Sequence, residues 1–504
     1  MKSIYERIDA VVRLNGMVPA DFVLEDADKP SDRSTNYKGE LEGVIGQSVP
    51  KKYDEEAVEK ALTFIKSKVI MNAKLAVHDF DDNELGFCVA TIRGPLLREI
   101  VKNIYDYDPH KLCNLAYSLV TFGLKKETVK LGLALLVLFD FGDDEIVKKH
   151  LITIGLYEEF TSYVIALTKS WPAESKEHVY YIYAQKLSGF GKINAVECLE
   201  PVNEEVKEWL LCNGCRNDVS YGYLGLIVAE KCNFKSRLEK GNLTEEEMQG
   251  ARDIMTGLLD EGPRAGISEL KDADKVAMGY LRELAKHEIT LADIANMFDI
   301  RNYFEEQDTK ASSEMKNKIF EQISRMLGNI SVSDKIRENL GENPRIAIRT
   351  AEETKTDVSN ELIELTRIDF NRYYVFCDYL FSQNRMVDDF LAIAAEKIKY
   401  GDFPTGMGNE SYPAENKTVF KLDFVTQFLS AYVGKGSEIL NACIDSPIVR
   451  WRSAAAMVLK NWETSENANI KKINQDLFHA VKKIKKKEIN DKLKTDWDEI
   501  LNFK

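Results

Sequence analysis

Long hydrophobic runs are missing from this sequence of 504 residues. The longest uncharged apolar run, residues 131–139, has nine residues, whereas a helix needs about 20 apolar residues to cross a bilayer. The first amphipathic stretch is interrupted by Glu6, Arg7 and Asp9, which does not fit the apolar core of a secretory signal peptide. We therefore predict a cytoplasmic protein that does not span a membrane.

Cysteine is also scarce, with eight residues in the chain. Without a secretory signal, these cysteines are predicted to be reduced thiols. Four are close in sequence: Cys198, Cys212, Cys215 and Cys232. Four thiolates would suit a zinc ion, and the Cys212-x-x-Cys215 pair would suit a redox centre. Structural zinc sites usually carry two short-spaced pairs and only one exists here, so we favour buried thiols and predict neither metal nor cofactor.

The sequence has no histidine pair at metal-binding spacing and no phosphate-binding loop motif. No two of the six histidines are three or four residues apart, so no helix offers a histidine pair to a metal. The stretch 187–192, LSGFGK, lacks the spacing of a phosphate-binding loop, and its glycines are better explained by contact between consecutive helices. The sequence nominates no catalytic residue, and we predict a protein that is not an enzyme.

Positive charge is in the minority, with 68 Lys and Arg against 82 Asp and Glu and a net charge of −14. This balance disfavours nucleic acids and anionic membranes, and favours basic partners or simply solubility. The exception is the lysine-rich block 482–494, KKIKKKEINDKLK. A solvated face of the terminal helix is the simpler interpretation. The alternative is contact with a nucleic acid or an acidic protein through Lys482, Lys483, Lys486 and Lys487.

Strand patterns are nearly absent, with faint alternation confined to residues 44–49. Apolar residues spaced three and four apart recur instead, which is typical of amphipathic helices. Between residues 143 and 232 this spacing defines short helices with polar caps such as Asp143, Asn203 and Asn217 at their starts. Such helices must bury their apolar stripes against neighbours. We therefore predict an all-α fold, built as an α-α superhelix of stacked helical pairs.

Composition suggests three parts. Residues 1–53 would form one helix followed by an extended polar connection. Residues 54–340 would form a helical-repeat solenoid, in which Pro95 occupies the first position of a helix. A charged stretch with few large apolar residues follows, after which residues 357–504 continue the repeats and end in the lysine-rich helix.

The densest aromatic patch is RYYVFCDYLF, residues 372–381. On a helix these rings would cover more than one face, so some could reach a groove and anchor a partner. Packing in the core is the simpler alternative. The partner-contact hypothesis names Arg372, Tyr373, Tyr374 and Tyr379.

The stretch DSPIVRWRSAAAMVL, from Asp445 to Leu459, resembles the second half of a HEAT repeat. An acidic turn residue and a proline precede Trp451-Arg452, paired alanines and a leucine, with Trp451 where the family prefers Val. Val129–Leu136 is a looser second copy. The resemblance implies a HEAT- or armadillo-like α-solenoid that binds partners along a concave surface, usually without catalysis.

The leading hypothesis is therefore a scaffold or adaptor that binds a protein partner along a concave superhelical surface. HEAT-like DNA-repair proteins share this architecture, so nucleic-acid binding is an alternative, although the net charge opposes it. A further alternative is an acidic bacterial inhibitor or immunity protein that masks a basic toxin, which the charge permits.

Overall fold

The computed structural model describes residues 2–24, 37–45, 53–82, 87–141, 144–201, 203–306, 309, 311–400, 403–408, 417–466 and 468–503. Within these ranges the secondary structure is helical and no β-strand is present. The all-α class predicted from the sequence is thus confirmed. Of the faintly strand-like stretch 44–49, residues 44 and 45 end a π-helical turn, and the others lie outside the described ranges.

Most of the described helices follow one another with short connections. The first fifteen are α1 Ile4–Asn15, α2 Glu55–Val69, α3 Ala73–Asp82, α4 Val89–Lys102, α5 Pro109–Phe122, α6 Lys126–Leu136, α7 Glu145–Ile154, α8 Glu158–Leu167, α9 Ala173–Lys186, α10 Phe190–Cys198, α11 Glu204–Trp209, α12 Gly225–Lys231, α13 Phe234–Lys240, α14 Glu245–Leu259 and α15 Ala273–Leu284. The others described are α16 Leu291–Glu306, α17 Ser313–Gly328, α18 Val332–Asn339, α19 Pro344–Thr354, α20 Ser359–Ile368, α21 Phe370–Tyr373, α22 Cys377–Ser382, α23 Val387–Ile398, α24 Lys417–Phe428, α25 Ser437–Ile444, α26 Val449–Glu466, α27 Ile470–Ile473, α28 Gln475–Lys485 and α29 Asp491–Asn502.

Single tighter or wider turns interrupt this succession. One-turn 3-10 segments lie at Ile104–Asp106, Thr168–Ser170, Tyr221–Tyr223, Tyr374–Phe376 and Leu429–Ala431, and π-helical turns lie at Leu41–Ile45 and Leu210–Gly214. The chain divides into two compact units. The first unit comprises Met1–Ile289 with Asp299–Arg325, and the second comprises Thr290–Phe298 with Met326–Lys504.

Helix α6 is a buried helix of the first unit. Every residue from Thr128 to Leu136 is buried, as its nearly all-round apolar sequence predicts. The helix packs against α4, α5 and α8. Gly132 allows α5 to come close, because a Cβ atom there would lie 2.7 Å from the Ala116 carbonyl oxygen.

Side-chain caps fix many of the helix starts. The Asn203 carboxamide accepts the Val206 N–H at 2.9 Å, and Thr244 forms a capping box with Glu247. The cap of α7 is Asp144, which accepts the N–H groups of Ile146 and Val147 at 3.0 Å. The sequence prediction had named Asp143, which lies outside the described residues.

Two predicted helix starts were wrong. Pro95 lies inside α4 rather than at its first position, because the apolar face on either side of it is continuous and its burial outweighs one missing N–H. Asn217 does not begin a helix directly. Its carboxamide instead accepts the N–H groups of Val219 and Ser220 at 2.9 Å, which closes a local turn before α12.

The second unit has a tryptophan-rich core. Trp451, Trp462 and Trp497 are at most 1 % exposed, and the Trp462 indole donates to the Leu429 carbonyl oxygen at 2.7 Å. The lysine-rich end of the chain is not one helix, because residues 486–490 separate α28 from α29 and Asn474 separates α27 from α28. The Asn474 side chain caps α28 by accepting the Leu477 N–H at 3.0 Å.

Two long connections are described only in part. Of residues 15–52, the described parts are 15–24 and 37–45, and of the loop 401–416 only 403–408 is described. Among the described helices, none combines the length and the apolar character needed to cross a membrane.

Candidate functional site

The four lysines named from the sequence lie on the outer side of α28 and the turn that follows it. Lys482, Lys483, Lys486 and Lys487 are exposed. Leu477, Val481 and Ile484 form the buried stripe of the same helix. Lys485, between them, pairs with Asp498. Within the described residues none of the four has an ion pair or a side-chain hydrogen bond. We call these four residues the lysine face.

The aromatic patch is divided between core and surface. Tyr373 and Tyr379 are 4 % and 3 % exposed. The Tyr373 hydroxyl donates to the Gly341 carbonyl oxygen at 2.9 Å, and the Tyr379 hydroxyl donates to that of Thr356 at 3.1 Å. In this conformation both rings support neighbouring loops of the second unit and are not accessible to a partner.

Arg372 and Tyr374 are more accessible. Arg372 is exposed, lies over the Tyr373 ring at 5.4 Å and donates to the Glu342 carbonyl oxygen at 3.1 Å. Tyr374 is half-buried and contacts the Phe424 ring edge-on at 5.7 Å. The four residues therefore do not form one continuous exposed surface.

The cysteines named from the sequence are free thiols. Burial raises the pKa of Cys212 to about 11 and that of Cys232 to about 12, and it raises the pKa of Cys215 further. Such thiols stay protonated at neutral pH, which opposes nucleophilic chemistry. Within the described residues, no group of three or more His, Cys, Asp or Glu side chains could hold a metal ion.

A buried ion pair in the second unit was not anticipated from the sequence. The Arg452 guanidinium and the Glu488 carboxylate are both fully buried, and they join through two contacts of 2.9 and 3.0 Å. Arg452 also donates to the carbonyl oxygens of Ser446 and Gly408, while Glu488 accepts the Trp497 indole N–H. Arg452 thus holds three separate segments together.

The glycine-rich stretch 187–192 binds an anion from within the chain. The Glu158 carboxylate accepts the backbone N–H groups of Ser188, Gly189 and Gly191 at 3.0, 2.8 and 2.5 Å. A Cβ atom at Gly191 would lie 2.5 Å from that carboxylate. Burial raises the pKa of Glu158, although the three N–H groups oppose this shift. The glycines allow the Glu158 carboxylate to approach the backbone closely, whereas the sequence predicted a contact between consecutive helices.

Lys192, at the end of the same stretch, is a buried cation. It is 7 % exposed, donates to the Asn213 carbonyl oxygen at 3.0 Å and lies 5.5 Å from the centre of the Trp209 ring. Within the described residues it has no carboxylate partner. Burial, followed by repulsion from Arg216, lowers the pKa of Lys192 to about 8.

A buried charge cluster surrounds Lys130 of α6. Its Nζ atom lies 2.6 Å from Glu42, 3.0 Å from Glu127 and 3.1 Å from Glu159. Burial alone would lower the pKa of Lys130, but the three carboxylates raise it well above its ordinary value. For Glu42 the balance is reversed, because burial raises its pKa in spite of Lys130. The Lys130 ammonium faces three carboxylates, which keep it charged, and it forms an ion pair with Glu42.

Two polar groups beside this cluster have unused hydrogen-bonding capacity. Tyr163 is 1 % exposed, and its hydroxyl has no hydrogen-bond partner within the described residues. Arg93 lies 4.7 Å from the centre of the Tyr163 ring and has no ion pair or hydrogen bond in the described part of the chain. Burial lowers the pKa of Arg93.

The whole cluster could not be located by a local sequence motif, because Glu42 and Glu159 are far from Lys130 in the chain. The one available signal is a lysine inside an apolar helix, since Lys130 lies within the stretch 128–136 that is otherwise uncharged. Comparisons with models of protein families, with curated proteins and with solved structures gave no match for this chain.

Proposed function

We propose that this protein is a non-enzymatic, cytoplasmic scaffold or adaptor that binds a protein partner, and that the lysine face contacts an acidic segment of that partner. The proposal rests on four exposed lysines that have no side-chain partner within the described residues. They lie on a chain whose net charge is −14. An unpaired basic surface on an acidic protein attracts acidic groups locally and repels them elsewhere.

The helical architecture supports the proposal at a general level. Successive short helices that bury their stripes against neighbours are the building plan of repeat proteins, which commonly bind partners along extended surfaces. In the HEAT-like segment, Ala455 and Ala456 are at most 1 % exposed, and α25 and α26 pack on each other. We propose that these helices belong to a HEAT-like superhelix with a concave binding surface.

A charge-matched pair of variants tests the role of the lysine face. In the first variant Lys482, Lys483, Lys486 and Lys487 are changed to Gln. In the control variant four exposed lysines elsewhere are changed to Gln: Lys60, Lys111, Lys240 and Lys271. Both variants lose the same formal charge, so a difference between them reports the position of the charge.

The probes are a fluorescent Glu- and Asp-rich peptide and a single-stranded DNA of equal charge, measured by anisotropy at low and at high salt. We expect the wild type and the control variant to bind the peptide, and the lysine-face variant to lose at least about tenfold in affinity. Equal peptide affinity of the two variants would contradict the proposal. Preferential binding of the DNA would replace it with nucleic-acid recognition.

A further inference from the structure

The turn between α28 and α29 is held in place by buried groups. The Glu488 carboxylate accepts the backbone N–H groups of Ile489 and Asn490, both at 3.1 Å. The Arg452 guanidinium binds the same carboxylate at 2.9 and 3.0 Å, and the Trp497 indole N–H donates to it at 3.3 Å. Because both of these donors are fully buried, the backbone of the turn is anchored directly to the core of the second unit.

This anchored turn exposes an apolar side chain beside positive charges. Ile489 is 50 % exposed. Lys486 and Lys487, which precede it in the turn, are exposed and have no ion pair or side-chain hydrogen bond within the described residues. The first exposed acidic residue after the turn, Asp491, is paired with Lys494 at 3.2 Å. In the described part of the chain, the two lysines beside Ile489 therefore lack a neutralising acid.

The other two lysines of the lysine face continue this positive surface along α28. Lys486 still has a helical backbone conformation, and residues four apart lie on the same side of a helix. An α-helix rises 1.5 Å per residue, so Lys482 and Lys486 are about 6 Å apart along the axis. Lys483 is exposed next to Lys482. A single short acidic segment can therefore span these lysines and the turn.

An exposed isoleucine alone does not indicate a docking site, because single apolar side chains are common on protein surfaces. Ile368 in the second unit is 81 % exposed, but the neighbouring Arg367 pairs with Glu364 at 3.9 Å. Ile489 differs because unpaired lysines precede it and because its backbone is fixed before a ligand arrives. A preformed contact loses little conformational entropy on binding, which favours Ile489 as a docking point.

We propose that Ile489 is an apolar docking point beside the lysine face, and that the acidic segment of the partner carries a large apolar side chain next to its carboxylates. This inference rests on the proposed function and specifies the ligand of the same surface. The lysines attract carboxylates through charge, which salt screens, whereas contact with Ile489 buries apolar surface, a contribution that does not depend on charge. Ile489 has no aromatic ring on which a nucleic-acid base could stack, which favours a protein segment.

Two fluorescent peptides of equal charge test this specificity. The first is Glu-Asp-Glu-Leu-Phe-Glu-Asp-Glu, and the second has Ser-Ser in place of Leu-Phe. Their binding to the full-length protein is measured by anisotropy at low and at high sodium chloride. Ile489→Ser removes the apolar side chain, and Ile489→Leu retains an apolar side chain of similar size. Ile368→Ser is the matched control, because it removes an exposed isoleucine elsewhere in the second unit.

We expect the wild type to bind the Leu-Phe peptide at least about fivefold more tightly than the Ser-Ser peptide, because the apolar pair covers Ile489. Ile489→Ser should abolish this preference, whereas Ile489→Leu and Ile368→Ser should retain it. Raising the sodium chloride concentration should weaken the binding of both peptides and leave the preference in place. If Ile489→Ser does not fold, Ile489→Thr, which keeps the branched shape, takes its place.

The results distinguish a failure of this inference from a failure of the proposed function. If the wild type binds both peptides equally, or if Ile489→Ser keeps the preference, this inference is overturned and the proposed function stands. If the wild type binds neither peptide, or if the lysine-face variant binds both as tightly as the wild type, the proposed function fails and this inference fails with it. Ile489-dependent binding to phosphatidylserine vesicles, with no binding to either peptide, would overturn both and assign the turn to an anionic membrane surface.

Discussion

The Arg452 guanidinium and the Glu488 carboxylate form an ion pair from which water is excluded, with an Nε–Oε2 distance of 2.9 Å. Removing one partner of such a pair leaves the other charge buried, which costs about 3–5 kcal/mol. We expect Glu488→Leu to lower the free energy of unfolding by about that amount, as measured by urea denaturation followed by tryptophan fluorescence.

The double variant Arg452→Met/Glu488→Leu is the control for this prediction. Because it removes both charges, it should recover a large part of the loss. An equal loss in the single and double variants would mean that packing, and not the unpaired guanidinium, sets the cost.

Glu463 of α26 provides a pH-dependent prediction. It is 4 % exposed, and its Oε1 atom has no hydrogen-bond partner within the described residues. Burial raises its pKa from 4.5 to about 7, against the attraction of Lys460. The folded state therefore binds the proton more tightly than the unfolded chain does. This tighter proton binding stabilises the fold at low pH, and the stabilisation is lost as the pH rises through about 7.

We expect Glu463→Gln to raise Tm more at pH 8 than at pH 5, as followed by circular dichroism. The exposed residue Glu438, changed to Gln, is the control and should show no such difference. A Tm change for Glu463→Gln that is the same at both pH values would show that this carboxyl group has an ordinary pKa.

Lys192 gives the opposite pH dependence. Its pKa falls from 10.5 to about 8 through burial and then through Arg216, so the folded state binds the proton less tightly than the unfolded chain. A charged Lys192 costs stability at neutral pH, and this cost disappears as the pH rises from about 8 towards 10.5. The stabilising effect of Lys192→Met should thus be about 2–3 kcal/mol larger at pH 7 than at pH 10. Lys111→Met, at an exposed position, should show no such trend in urea titrations.

The Glu158 carboxylate should fix the stretch 187–192. Glu158→Ala leaves three backbone N–H groups without their charged acceptor, and hydrogen bonds to a charged group contribute about 1.5–3 kcal/mol. We expect the amides of Gly189 and Gly191 to exchange at least about tenfold faster in the variant, as measured by NMR. Unchanged exchange at both glycines would contradict this role.

The helical elements were largely predictable because their signals are local. The Thr244 capping box and the Asn203 cap are read directly from spacing and residue type, and the burial of α6 follows from its nearly continuous apolar sequence. Pro95 was misread because a local rule for proline competes with burial of the face around it. Tertiary packing determined where this helix begins, and no short stretch of sequence contains that information.

The candidate site was harder to predict because its contacts are long-range. Glu42 and Lys130 are far apart in the chain, as are Arg452 and Glu488, and neither pair has a sequence spacing that signals contact. Among the residues named from the sequence, Lys482 and Lys483 were found exposed because the helical period of α28 separates them from the buried stripe. Lys486 and Lys487 lie in the exposed turn that follows. Tyr373 and Tyr379 were found in the core, where an aromatic-rich helix is expected to pack when more than one of its faces is apolar.

Zero-length cross-linking of amines to carboxyl groups tests most directly whether the lysine face contacts an acidic protein. The full-length protein is cross-linked in its native cells, and the products are identified by mass spectrometry. The account predicts that intermolecular cross-links to Asp and Glu of one recurrent partner concentrate at Lys482, Lys483, Lys486 and Lys487. They should exceed those at four other exposed lysines, Lys60, Lys111, Lys240 and Lys271, by at least about tenfold. A uniform distribution of cross-links over both sets of lysines would contradict it.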